Sequence, residues 1–149
     1  MSRFPLAIIA LAASCAAALA HTGAMGVVKE RMEAMKQVGD GMKAIALMVK
    51  GEVEFDAGAA EVTARMIERH GREMPGLFPE GSLDKPTGAL PVIWARWDDF
   101  TGMAKKMETD ALALAEAAKA ASSAQDIVPH LTEVGNSCKA CHQDFRLAK

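Results

Sequence analysis

Apolar residues recur along this chain at steps of three and four from about residue 25 onward, with polar residues filling the intervals. That period belongs to helices that bury one face. Strand-type alternation is absent, tyrosine is absent, and the good helix formers Ala, Met, Leu, Glu and Lys dominate. Four segments follow. The first covers about Met25 to Val49 and stops at Lys50-Gly51; its stripe is Val28, Met35, Met42 and Val49, interleaved with Arg31, Val38 and Ile45. The second starts after Asp56, a natural N-cap, and ends where Met74 meets Pro75, with Ala60, Ala64, Ile67 and Met74 inward. The third starts near Pro91 and turns Ile93, Trp97, Phe100, Ala104, Met107, Ala111, Leu114 and Ala118 inward. The fourth starts between Ser123 and Asp126, with Asp126 as the expected cap and Pro129 in the first turn. Its stripe is Leu131, Val134, Cys138, Cys141 and Phe145. The stretch GLFPEGSLDKPTGALP between the second and third segments is long enough to cross the end of a bundle. Four helices with one apolar face each bury those faces best as an antiparallel four-helix bundle, so the expected class is all-α.

The front of the chain reads differently. Residues 1–20, MSRFPLAIIALAASCAAALA, place Arg3 before a short apolar run that ends in Ala18-Leu19-Ala20. This is the pattern of a secretory signal peptide cut after Ala20, and the run is too short to span a bilayer. The expected division is therefore a signal peptide at 1–20 and one domain at 21–149, exported and soluble in the periplasm. Cys15 follows Ala-Ala-Ser, but Ala12 stands where a lipidation signal prefers a large aliphatic residue, so lipid anchoring there is the weaker reading. Cleavage takes away Arg3 and moves the formal net charge from −2 to −3. A mildly acidic chain is a poor partner for nucleic acid.

Cleavage also leaves two cysteines, in Cys138-Lys139-Ala140-Cys141-His142. Such a string serves as a redox pair, as half of a zinc site, or as the anchor of a covalent haem. A thioredoxin-like pair needs a preceding strand and a βαβ setting, which this sequence lacks. Zinc needs four ligands, and His21, His70 and His130 stand at spacings that match no zinc pattern. On a helix, Cys138, Cys141 and His142 fall at i, i+3 and i+4, beside the inward stripe. Two thiols can then bond a haem's vinyl groups with the imidazole beneath, and C-x-x-C-H is the c-type attachment signature. One haem c per chain is the expected cofactor.

A haem anchored close to the C-terminus of a four-helix bundle resembles the class II c-type cytochromes, the cytochrome c' family with its low-spin, methionine-ligated relatives. The resemblance spans residues 21–149. It rests on Cys138–His142 followed by Phe145-Arg146, on Arg31-x-x-x-Met35, on Lys50-Gly51-Glu52 before Phe55-Asp56, and on Ile93-Trp94. It implies His142 as the proximal iron ligand and the first helix crossing the other haem face, with Met35 toward the iron. If Met35 ligates, the protein is an electron carrier, since His/Met ligation raises the potential into a useful range. If it only covers the iron, the site is five-coordinate and open to nitric oxide or carbon monoxide. Met74-Pro75-Gly76-Leu77-Phe78-Pro79 looks like the loop of the low-spin members and favours ligation; Met32 and Met42 are the alternatives. Arg31, a charge on an apolar stripe, needs a partner, and the resemblance supplies haem propionates. Arg146 is either a second propionate contact or a surface charge at a helix end.

No acid, base or nucleophile accompanies these residues on the stripes, so an enzyme is not expected. Redox proteins are the expected partners, small gases the alternative ligands, with no membrane span and a monomer or homodimer as the assembly. His70 and His130 receive no role. Trp94 and Trp97 share a face and are expected in the core, and Lys105-Lys106 with Glu108 and Asp110 reads as a solvated face.

Overall fold

The computed structural model describes residues 24–148. The expected signal peptide, Cys15 and His21 lie outside the described residues. Among the described residues there are five α-helices: α1 (Gly26–Val49), α2 (Ala57–Glu73), the short α3 (Val92–Ala95), α4 (Trp97–Ala120) and α5 (Val128–Phe145). The four long ones form the expected bundle.

Local chemistry sets most of the boundaries. Gly51, at φ +73°, ends the run after α1 in a backbone conformation open to glycine. Asp56 caps α2 as expected, its Oδ1 accepting from the Ala59 N–H at 2.9 Å. Pro75 tightens the end of α2 into a 3-10 turn, Met74–Leu77. Two expectations change. The third segment breaks at Arg96, so Trp94 lies on α3 and Trp97 opens α4. They no longer share a face: Trp94 is half-buried and donates its Nε1–H to Phe78 O at 3.0 Å, while Trp97 is exposed. At the fourth segment the cap is Ser123, not Asp126. Asp126 is the return arm of a capping box, accepting from the Ser122 and Ser123 N–H groups at 2.9 and 2.8 Å, ahead of a 3-10 turn that leads into α5. Those donors hold its carboxyl below the usual range.

Three ties give the helix order and direction. Gln37 Oε1 of α1 meets His70 Nε2 of α2 at 2.9 Å. Gly71 of α2 lies against the backbone of Glu108 in α4, where an added Cβ would come within 2.7 Å of the Glu108 nitrogen. Ser137 of α5 donates to Asp110 Oδ2 of α4. A second tie on each pair runs the opposite way along the chain: Gly41 against Thr63 and Met66, Arg65 to Glu116, and Arg96 to Asp144 at 2.8 Å. Neighbouring helices are therefore antiparallel, and α1 closes the ring between α2 and α5. Ile45, Ile67, Ile93, Leu114, Ile127 and Val134 are the large side chains at the fully buried centre. Among the described residues no helix is long and apolar enough to cross a membrane.

Candidate functional site

Helix α5 carries the cysteine pair, and its rotation is fixed by apolar burial. Val134 and Phe145 are buried, Ser137 with them, while Cys138 and Cys141 are half-buried beside that line. Both cysteines are free thiols packed against the core. Burial raises the Cys138 thiol, with the Asp110 charge adding to it. It pushes the Cys141 thiol up to about 11, helped by Cys138 and Asp144. A redox-active pair depends on thiolate, which a lowered thiol favours, so these shifts run against that reading. Among the described residues no group of three His, Cys, Asp or Glu side chains could hold a metal ion. His142 follows on the exposed flank. What covering its ring has lowers its pKa, and the Arg146 charge lowers it further, which favours the neutral imidazole that binds a metal. Two apolar-set thiols one turn apart with a neutral imidazole beside them form a donor set that fits covalent haem.

The three ties that order the bundle also give its register. The α-helix rises ~1.5 Å per residue. Counting from Gln37 to His70, from Gly71 to Glu108 and from Asp110 to Ser137 brings Cys138 level with Gln37. Cys141 and His142 then lie about one turn nearer the start of α1, and Met35 falls between the two levels. Direction separates the methionines further. Gln37 and Gly41 face α2, and at ~100° per residue Met35 and Met42 turn away from it, to the flank on the α5 side. Both are half-buried against the core. Met42 is two turns further along α1, beyond the cysteines, and Met32 lies on the outer side. The expected stripe is otherwise confirmed at Val28, Arg31, Val38 and Ile45; the buried line also includes Ala34 and Gly41.

Arg31 is buried, at 4% exposure, and its head has partners within the protein. Nε donates to Leu77 O at 3.2 Å, Nη2 to Ser82 O and Ser82 Oγ at 3.0 and 2.9 Å, and Nη1 to Thr87 Oγ1 at 3.4 Å. Its Cζ sits 3.9 Å from the centre of the Phe78 ring. The guanidinium thus staples the loop after α2 to the start of α1. Five N–H donors less these four bonds leave one Nη1–H for a further acceptor. Burial lowers its pKa. The other end of the loop is tied to α5: Leu90 N–H donates to Phe145 O and Leu147 N–H to Gly88 O, at 3.0 and 2.8 Å. Phe145 itself is core, edge-on to Phe100 with ring centres 5.4 Å apart. Arg146 is exposed. Asp110, read from sequence as part of a solvated face, is instead shielded and bonded to Ser137. The signal available was the place of Ser137, on the inward side directly before Cys138.

Comparison with known proteins shows the family and the fold. Residues 26–146 match the family model described as Cytochrome C'. Cytochrome c' of Pararhodospirillum photometricum is 39% identical over 80% of this chain and 94% of its own length. Cytochrome c-556 of Agrobacterium fabrum is 36% identical over 85% of this chain and 84% of its own. Among solved structures, cytochrome c' from Rhodopseudomonas palustris superposes with a TM-score of 0.77 at 31% identity, covering 85% of this chain and 99% of that one.

Proposed function

The chain belongs to the cytochrome c' family of class II c-type cytochromes, with a covalent haem c as its cofactor, and from that premise we propose that it is an exported electron carrier with His/Met ligation. Family membership makes it a haem c protein that carries electrons or binds gases. The bound haem supplies one-electron chemistry at its iron. In our reading Cys138 and Cys141 would hold the haem through thioether bonds and His142 would give its imidazole nitrogen to the iron. Met35 would give its sulfur, a soft ligand suited to the ferrous and ferric states alike. The remaining Nη1–H of Arg31 would bind a propionate while the other donors keep the loop in place.

The observation that carries the reading is the register of α1 against α5. Of the methionines on α1, Met35 alone combines the level of the cysteines with the flank toward α5. A signal peptide at residues 1–20 would deliver the protein to the periplasm, where redox proteins are its partners and it works as a monomer or homodimer.

A second reading has support in the relatives themselves, several of which are named cytochrome c'. In it Met35 only covers the iron, and the protein binds nitric oxide or carbon monoxide. Optical spectra of the holoprotein, oxidised and reduced, with and without carbon monoxide, separate the two. A low-spin spectrum indifferent to carbon monoxide, converted to high-spin by Met35→Ala, supports the electron carrier. A parental spectrum already high-spin and shifted by carbon monoxide replaces it with the gas binder.

A further inference from the structure

Asp110 belongs to a run of charges on α4, yet its side chain is only 14% exposed. Its Oδ2 accepts from the hydroxyl of Ser137, a side chain buried at 5% exposure, and from Lys106 Nζ at 2.8 Å. A shielded carboxylate costs free energy unless compensated. The compensation is lopsided: the Lys106 side chain is 57% exposed, so water screens its charge far more than that of Asp110. Asp144, two turns on from Ser137, shows the contrast. It pairs with Arg96 with both side chains open to solvent, at 36% and 42% exposure. Ser137 directly precedes Cys138, and the Cys138 thiol is raised partly by the Asp110 charge, so that charge is felt at the attachment segment.

We propose that Asp110 is a positioning and tuning residue for the haem: through Ser137 it adds a polar tie to the apolar burial that sets the rotation of α5, and its shielded negative charge lowers the reduction potential. The inference rests on attachment at Cys138 and Cys141, and holds whichever way Met35 acts. Reduction brings one electron from a donor to the iron, ferric to ferrous, with no bond made or broken. The net charge of the site falls by one, which a fixed carboxylate nearby opposes.

The test is a redox titration of the holoprotein against electrode mediators, at low and high salt, after covalent haem has been assayed by its pyridine haemochrome. Asp110→Asn keeps an acceptor for Ser137 and removes the charge. At a fixed electrode potential it should raise the ferrous-to-ferric ratio about threefold or more. The shift should persist in high salt, because the carboxylate is shielded. Asp110→Ser removes the same charge, should raise the ratio likewise, and serves if Asp110→Asn folds poorly. Ser137→Ala should lower Tm and move the ratio less than Asp110→Asn does. An unchanged ratio in Asp110→Asn with a parental spectrum overturns the proposal, as does a shift that salt abolishes. A parent without covalent haem overturns the attachment reading, and this inference with it.

Discussion

The seam between α2 and α4 and the seam between α1 and α5 are built from different side chains, and the difference is one of fixed distance against adaptability. Along α2, Ala60, Ala64 and Gly71 bring the backbone close to α4, and Ala111 and Ala115 answer from the other side, all buried. Gly71 touches Glu108 main chain, which cannot move aside as a side-chain tip can. Close approach of this kind lets dispersion act over the length of two helices. On the α1–α5 side, Met35 and Met42 of α1 and Leu131 and Cys138 of α5 are half-buried against the core, as is Cys141 beside them. Methionine is flexible and polarisable, and adapts to a neighbour of any shape. A seam of small residues specifies a distance; a seam of soft residues accommodates a ligand.

The comparison breaks first at the cysteines. Replacing Cys138 and Cys141 together with alanine should abolish covalent haem altogether, read as loss of haem stain on a denaturing gel. Retained stain would remove the α1–α5 flank from the haem's site. Leu114→Ala, at the buried centre of α4, should cost about 2–5 kcal/mol in denaturant unfolding of the holoprotein. The optical spectrum should stay parental; a changed spectrum would mean the two seams are not separate. Gly71→Ala should cost about 1–3 kcal/mol, because its Cβ forces the helices apart. A neutral result would show that α2 and α4 have slack. Gly41→Ala, whose Cβ meets the side-chain ends of Met66, Thr63 and Ile67, should cost less than Gly71→Ala in the same titration. Smallest, Asp56→Ala should cost about 1 kcal/mol through the lost cap. Amide exchange should speed up most at the start of α2.

What was legible from sequence was local. Asp56 announced the start of α2 because a cap needs only its own side chain and the N–H three residues on. The i, i+3, i+4 placement of Cys138, Cys141 and His142 likewise needs nothing beyond a helix. Asp126 misled because a capping box uses two residues reciprocally, and Ser123 was the partner. Trp97 misled because the period was followed through Arg96, where the helix breaks. Met35 and Met42 share one flank of α1, and periodicity offers no means to choose between them. What bears on that choice is the level of α5 against α1, which follows from the meetings of Gln37 with His70, Gly71 with Glu108, and Ser137 with Asp110.

The sequence by itself determined the all-α class, the four long helices and the attachment motif, because each follows from contacts within a few residues of chain. Only the tertiary structure decided which methionine stands level with the cysteines, where the Arg31 head goes, and that Asp110 is shielded. The reason is physical. Helix register and rotation are settled by side chains that meet across 27 to 51 residues of chain, and no repeat of three and four carries that information.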